Sequence, residues 1–232
     1  MENFMELSED TIACRWCKNN IFLMAVMLLS LLSCRQNNIA TQKEVLPFYN
    51  TAEFDAEWIN ESDSIYKNIH TIDTFALQNQ LGNTITKDSL DGFIYVANFF
   101  FSTCPSICPK MTNNLLTLQD RFANNKQIKL VSFSVMPWVD SVATLKEYAD
   151  LHGINPSKWH LLTGNQEKIY QLGRTSFFAE KGLGLQKSSD EFLHTESMLL
   201  IDKKGRIRGI YNATQRPDIE RVTDDIKVLL NE

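Results

Sequence analysis

Residues 99–109 read FFFSTCPSICP, an apolar run that ends at two cysteines, Cys104 and Cys108, each followed by a proline. Residues 93–101 are rich in aromatic and branched side chains, which is typical of a central strand buried on both faces. After the cysteines, apolar side chains recur at helical spacing and predict a helix over residues 109–123. The two thiols are therefore expected where a strand leads into a helix N-terminus, whose partial positive charge lowers the pKa of nearby cysteines.

Pro109 predicts where this helix begins. A proline inside a helix removes a hydrogen bond and clashes with the preceding turn, so we expect the helix to start at Pro109, with Cys108 near its N-cap and Cys104 in a loop. Such a loop can bring the two sulfurs together. The spacing alone is compatible with a shared metal ion, a redox pair or a structural disulfide.

Strands and helices alternate on both sides of this stretch. Residues 69–77 and 84–86 predict a leading β-hairpin, and residues 128–135 predict a strand that follows the cysteine helix in a right-handed, parallel βαβ unit. Further elements are predicted as helices over 140–151, 166–178 and from Pro217 onward, and as strands over 158–162, 196–201 and 206–211. Gly205 suits the turn between the last two strands. We expect an α/β thioredoxin-like sandwich, with a mixed central sheet, helices on both faces and a leading β-hairpin.

The composition is that of an ordinary globular chain. Of the 232 residues, 44% are hydrophobic and 22% are charged, and the formal net charge is -5. The positive charges are not gathered into a basic stripe, so nucleic-acid binding is excluded as an expectation.

The N-terminus predicts export. Arg15 and Lys18 precede the apolar residues 21–32, which have the length of a signal-peptide core and are too few for a comfortable membrane span. Residues 31–34 read LLSC and resemble a bacterial lipobox, in which the cysteine, here Cys34, carries a lipid anchor. An uncleaved hydrophobic segment is the alternative.

The chain is therefore divided into three parts. Residues 1–33 are predicted as a lipoprotein signal peptide, 34–68 as a tether and N-terminal extension, and 69–232 as the thioredoxin-like domain. The expected product is an exported, membrane-anchored bacterial lipoprotein with its domain in the periplasm. Cys14 and Cys17 fall in the segment that is removed, which leaves Cys104 and Cys108 as the free thiols.

A metal at the two thiols needs a further ligand. A soft thiolate pair favours Cu(I) or zinc over hard ions, and the chain has four histidines. We interpret His70, His152 and His160 as packing or surface residues. His194 stands directly before the strand predicted over 196–201, and in a thioredoxin-like fold that loop faces the cysteine loop, so His194 is the candidate ligand.

Several motifs together resemble the Sco (SenC) family over residues 69–232. They are CPSICP at 104–109 after an aromatic strand, SVMP at 134–137, Trp159 with LTG at 162–164, and His194 before LLID at 199–202 with Gly205. Members of that family are membrane-tethered, thioredoxin-like copper proteins implicated in assembling the dinuclear copper centre of cytochrome c oxidase.

The resemblance implies roles for particular residues. Cys104 and Cys108 would be thiolate ligands and His194 the imidazole ligand of a copper ion, as Cu(I) or Cu(II). The implied function is a metallochaperone rather than a catalyst. Its implied partners are the copper-bearing subunit of cytochrome c oxidase and a periplasmic copper donor or thiol reductase.

The alternative function is a thiol-disulfide oxidoreductase that keeps the cysteines of an oxidase subunit reduced, with Cys104 and Cys108 as its redox pair. Metal binding requires reduced sulfurs, so a Cys104–Cys108 disulfide cannot be loaded with metal. A purely structural disulfide between the same cysteines is a weaker alternative.

The chain departs from the family pattern at one position near the predicted site. Many members have an aspartate before the proline that ends the strand after the cysteine helix, whereas this chain has Met136 before Pro137. Asp140 follows four residues after Met136. The thioether of Met136 is either a soft ligand near the copper or, as the favoured alternative, a filler of core space.

Overall fold

The computed structural model describes residues 45–179 and 195–232. Seven strands and four α-helices are numbered here in chain order. They are β1 Ala76–Asn79, β2 Thr84–Thr86, β3 Ile94–Phe100, α1 Ile107–Arg121, β4 Ile128–Ser134, α2 Val142–His152, β5 Trp159–Thr163, α3 Gln166–Thr175, β6 Ser197–Ile201, β7 Ile207–Asn212 and α4 Arg216–Asn231. This order of strands and helices is the predicted one.

All seven strands form one mixed sheet in the order β2-β1-β5-β4-β3-β6-β7. The central strand β3 pairs in parallel with β4, as predicted for the βαβ unit, and β4 pairs in parallel with β5. The remaining neighbours are antiparallel, including the leading hairpin of β1 and β2 and the closing hairpin of β6 and β7. The predicted thioredoxin-like α/β fold is confirmed.

Strand β3 divides the core into two clusters because its side chains alternate across the sheet. Every residue of β3 is buried. Ile94, Val96 and Phe100 pack in a cluster covered by α1, α2 and α4, called here the cysteine face because it contains Cys104 and Cys108. Tyr95, Ala97 and Phe99 pack in the cluster of the opposite face, which is covered by α3. Helices therefore cover both faces, as the sequence predicted.

The prediction that α1 begins at Pro109 is wrong by two residues. The helix begins at Ile107 after the N-cap Ser106, which places Cys108 and Pro109 both within the first turn. The amides of the first turn have no partner inside a helix, so a proline there removes no hydrogen bond. Cys108 is consequently a residue of the helix rather than its cap.

Other predicted boundaries are also wrong, including the end of α1, which is Arg121 rather than residue 123. Strand β1 starts at Ala76 rather than at residue 69, because Ile72 upstream of it donates its amide to the carbonyl of Gly205. Helix α3 ends at Thr175, so Phe177 and Phe178 are buried outside the helix. Helix α4 starts at Arg216, one residue before Pro217.

Residues before the first strand run along the edge strand β7. The amide of Tyr49 donates to the carbonyl of Ile207 at 3.1 Å, and the Arg208 guanidinium donates to the carbonyls of Leu46 and Pro47 at 2.7 and 3.0 Å. Because unpaired edge strands invite association with other chains, this segment protects the sheet edge beside β7.

Candidate metal centre

Cys104 and Cys108 lie where β3 leads into α1, as predicted. The end of β3 is fixed to β4 because the amide of Val135 donates to the carbonyl of Phe100 at 2.9 Å. One turn later the amide of Cys104 donates to the carbonyl of Phe101 at 3.3 Å, which closes the loop that carries Cys104. Both cysteines are free thiols, and they are only 5% and 2% exposed.

The start of α1 lowers the pKa of the Cys104 thiol. Burial alone would raise this pKa, but hydrogen bonds from the backbone amides of Cys108, Ser106 and Ile107 and from the Cys108 thiol outweigh it. Amides in the first turn of a helix point at an anion and stabilise it. Cys104 is therefore the sulfur that ionises first, and the position of α1 is the physical cause.

The neighbouring Cys108 thiol behaves in the opposite way. Burial raises the pKa of Cys108 to about 12, and the hydrogen bond and negative charge of Cys104 add to this effect. Asp140 raises the pKa further through its charge. At neutral pH the pair thus consists of one activated thiol and one protonated thiol that donates to it. A cation bound between them would replace the proton of Cys108.

This arrangement supplies two soft sulfur ligands. Within residues 45–179 and 195–232, no group of three or more histidine, cysteine and acidic side chains is placed to hold a metal ion. The predicted ligand His194 and the predicted lipid-bearing Cys34 lie outside the described residues. The described chain resumes at Thr195, which is buried.

The other histidines have contacts of their own. The His70 ring packs against Phe178 at 4.5 Å between ring centroids with a tilt of 36°, and its Nε2 lies 2.8 Å from the carbonyl oxygen of Ser176. His160 is half-buried in β5, with its Nδ1 3.4 Å from the side-chain nitrogen of Asn79, and burial lowers its pKa to about 4. The His152 ring packs against Tyr148 at 4.3 Å between ring centroids with a tilt of 43°. These contacts agree with the interpretation of all three as packing residues.

Met136 packs away from the thiols. Its half-buried side chain contacts the cluster of the opposite face, whereas Cys104 and Cys108 belong to the cysteine face. This placement favours the alternative that Met136 fills core space.

Two residues near the thiols were not assigned a role from the sequence. Tyr148 on α2 shares a hydrogen bond of 2.8 Å with Thr112 of α1, and burial raises its pKa, with smaller contributions from the charges of Cys108 and Asp140. Asp140 is fully buried and accepts hydrogen bonds from Ser102, two residues before Cys104. The signal for Asp140 was its place directly before the N-cap of α2, which proves to be Ser141.

Comparison with known proteins gives one consistent family. The SCO1/SenC family model matches residues 64–231. The SCO1 protein homolog of Bacillus subtilis is 30% identical over 160 residues, which span 68% of this chain and 82% of that protein.

Solved structures give the same result. One similar structure is that of BsSco, a member of the Sco family of cytochrome c oxidase assembly proteins in which a disulfide switch was identified. It is 30% identical with a TM-score of 0.60, and the match covers 69% of this chain and 94% of BsSco. A SCO1/SenC family lipoprotein from Bacillus anthracis is 29% identical with a TM-score of 0.60, covering 69% and 95%. ScoI of Arabidopsis thaliana, solved with copper bound, shares the fold at 24% identity and a TM-score of 0.53, covering 69% and 98%.

Proposed function

Because this chain belongs to the SCO1/SenC family, we propose that it is a copper-binding metallochaperone that helps assemble the copper centre of cytochrome c oxidase. Its proposed ligands are the Cys104 and Cys108 sulfurs and the His194 imidazole. The observation that carries the proposal is the pair of free thiols at the start of α1, one of them with a lowered pKa. Copper is the cargo of this function.

The thiols suit copper chemically. Thiolates are soft ligands that select Cu(I) and zinc over hard cations, and a metal requires them deprotonated. Cys104 is already biased toward the thiolate, and Cys108 becomes a ligand when the arriving cation displaces its proton. The thiols sit at the end of the sheet, where the loop residues Thr103, Pro105 and Ser106 are exposed. Ligands of a partner protein can approach there, which delivery requires and a closed structural site does not allow.

The topology of the sheet supports His194 as the third ligand. Strand β6 runs antiparallel to β3, and Met198 near the start of β6 pairs with Asn98 near the end of β3. His194 precedes Met198 by four residues, and an extended chain spans at most about 3.6 Å per residue. The start of β6 and the end of β3 lie at the same end of the sheet, so Thr195, where the described chain resumes, lies toward the end that carries the thiols, and this supports its neighbour His194 as a ligand.

The relatives support the assignment to copper and to the oxidase. BsSco belongs to a family of cytochrome c oxidase assembly proteins, and A. thaliana ScoI binds copper in its structure. We extend both properties to this chain because it belongs to the same family and carries two free thiols where β3 leads into α1. The proposed partners are the copper-bearing oxidase subunit and a periplasmic copper donor or thiol reductase.

The proposed location is the periplasmic side of a bacterial membrane, with the chain anchored through a lipid on Cys34. The SCO1/SenC relative from B. anthracis is a lipoprotein. No helix in the described ranges 45–179 and 195–232 has the length and apolar character needed to span a membrane. The proposed parts remain a signal peptide over 1–33, a tether and extension over 34–68, and the Sco domain over 69–232.

Anaerobic titration of the reduced full chain with Cu(I) tests the function. We expect one Cu(I) per chain at the site, lost in Cys104→Ser and Cys108→Ser and strongly weakened in His194→Ala. His70→Gln is the matched histidine control, because His70 contacts Phe178 in the cluster of the opposite face. Full binding by Cys104→Ser or Cys108→Ser would refute the proposed site.

A thiol-disulfide oxidoreductase is the second candidate, and the unequal thiols favour it. An activated Cys104 beside a protonated Cys108 is also the arrangement that attacks a substrate disulfide and then resolves the mixed disulfide. Dithiol exchange has no need of an imidazole ligand. If His194→Ala retained wild-type Cu(I) affinity while Cys104→Ser abolished reduction of oxidase-subunit disulfides, the oxidoreductase would replace the metallochaperone as the proposed function.

A further inference from the structure

Asp140 is a buried carboxylate that links the cysteine loop to the end of β4. It is 0% exposed, and so is Ser134, which donates its hydroxyl to Asp140 Oδ2 at 2.5 Å. On the other side, the Ser102 amide donates to both carboxylate oxygens at 3.3 and 3.2 Å, and the Ser102 hydroxyl donates to Oδ1. One side chain thus connects two segments that are 32 residues apart in sequence.

The carboxylate is held by hydrogen bonds alone in the part of the chain that the structure describes. None of the ion pairs there includes Asp140. A buried charge without a cation requires strong donors on its oxygens, and hydrogen bonds to a charged acceptor are roughly twice as strong as neutral ones. Three donors, two of them from Ser102, therefore fix the position of Ser102 against Ser134.

Ser102 is the direct route from Asp140 to the thiols. It precedes Cys104 by two residues, inside the turn that the amide of Cys104 closes onto the carbonyl of Phe101. The other end of the motif is fixed independently, because Cys108 is part of α1. The distance between the two sulfurs is thus set by the loop that Ser102 begins.

We infer that Asp140 is a positioning residue for the thiol pair, which acts through Ser102 to hold Cys104 within reach of Cys108. A pair that is held together behaves as if each thiol met the other at a high effective concentration. This favours both the disulfide and the shared metal ion over the separated thiols. The copper consequence rests on the proposed function, whereas the disulfide consequence does not.

The redox consequence concerns the equilibrium between the two free thiols and the Cys104–Cys108 disulfide. When glutathione disulfide oxidises the pair, Cys104 and Cys108 lose two electrons and two protons and form one S–S bond, and the glutathione disulfide becomes two glutathione thiols. Loosening the loop lowers the equilibrium constant of this reaction, because the two protein sulfurs then meet less often.

The test compares folded full-length variants in glutathione buffers and quantifies the two forms by mass after alkylation. We expect Asp140→Asn to lower the equilibrium constant about tenfold, equivalent to a rise of about 30 mV in the midpoint potential. An asparagine places a donor NH2 where one carboxylate oxygen accepted, so it cannot accept from all three donors and the hydrogen bonds to Ser102 or Ser134 are weakened or reversed. Ser102→Ala, which removes one donor and keeps the buried carboxylate, is expected to give about a threefold decrease.

Two matched controls separate this role from general destabilisation. Asp150→Asn makes the same chemical change on the surface of α2, where Asp150 pairs with Lys146, and Ser157→Ala removes an exposed hydroxyl. We expect both to keep the wild-type equilibrium constant.

Ser102→Ala decides the outcome if Asp140→Asn does not fold, because Ser102 is half-exposed and keeps its amide donor. A folded Ser102→Ala chain with an unchanged equilibrium constant would overturn the inference. A Cu(I) titration of the same proteins separates the two proposals. If the unmodified chain bound no Cu(I), the proposed function would fail, while the glutathione equilibrium would still report the role of Asp140.

Discussion

The two thiols should differ greatly in their rate of alkylation. The reduced chain is treated with iodoacetamide at pH 8. With a pKa of about 12, Cys108 is ionised in about one molecule in 10⁴, whereas an ordinary cysteine of pKa about 8.5 is ionised in about one in four. The thiolate population of Cys108 is therefore about 2,400-fold smaller than that of an ordinary cysteine. A more basic thiolate is also more nucleophilic, and at a Brønsted slope of about 0.45 this raises its alkylation rate about 40-fold. We therefore expect Cys108 to react about 60-fold more slowly than an ordinary cysteine.

Cys104 should react much faster than Cys108, because the amides at the start of α1 lower its pKa. Trypsin releases both residues in one peptide, 88–110, so fragmentation in the mass spectrometer assigns the modified sulfur. The rate at Cys108 should also rise with pH well beyond pH 9, where an ordinary thiol levels off. If Cys108 reacted within about threefold of Cys104 at pH 8, the reasoning from burial and the helix N-terminus would be wrong.

Three further predictions concern single side chains. Met136→Leu should leave Cu(I) affinity unchanged because Met136 packs with the opposite-face cluster, and a tenfold loss would instead identify it as a ligand. Burial lowers the pKa of His160 to about 4, so the unfolded chain binds a proton before the folded chain does as the pH falls below about 6.5. About 3 kcal/mol of the free energy of unfolding should therefore be lost between pH 6.5 and 4. Urea unfolding of His160→Gln should lack this loss. Arg208→Met removes the buried partner of two carboxylates and two carbonyls, those of Asp202, Glu232, Leu46 and Pro47, and should lower the free energy of unfolding in urea by about 3–5 kcal/mol. Arg221→Met changes an exposed arginine and should leave the urea midpoint unchanged.

The fold was predictable because its determinants are local. Strand β3 is a continuous apolar run, α1 has a regular apolar stripe, and Gly205 has the positive φ of 77° that its hairpin turn requires. The position of Cys104 and Cys108 at the end of β3 was predictable for the same reason, since the cysteines follow the strand directly. The ends of the strands and helices were less predictable where a distant contact decides them. Ahead of β1, for example, the carbonyl of Gly205 accepts a hydrogen bond from the amide of Ile72.

The N-terminal extension shows what local patterns miss. Arg208 reads as an ordinary strand residue, yet it is 2% exposed, pairs with Asp202 and Glu232, and binds the carbonyls of Leu46 and Pro47. Its partners lie up to 162 residues away in sequence. Local patterns do not reveal such a contact, because it depends on β7 placing the guanidinium beside residues that are distant in sequence.

The carboxylate near the thiols follows from the same kind of long-range constraint. Met136 occupies the position before Pro137, and its side chain packs with the cluster of the opposite face. This chain therefore has no carboxylate at the position where many family members have an aspartate. The turn after β4 reverses direction, because the amides of Val139 and Asp140 both donate to the carbonyl of Met136 at 2.8 and 2.9 Å. This reversal returns Asp140 to the end of β4, where the pairing of β3 with β4 has already brought Ser102. The four residues after Met136, ending at Asp140, therefore carry the chain from the opposite face to the cysteine loop, and the pairing of β3 with β4 explains why Asp140 then meets Ser102.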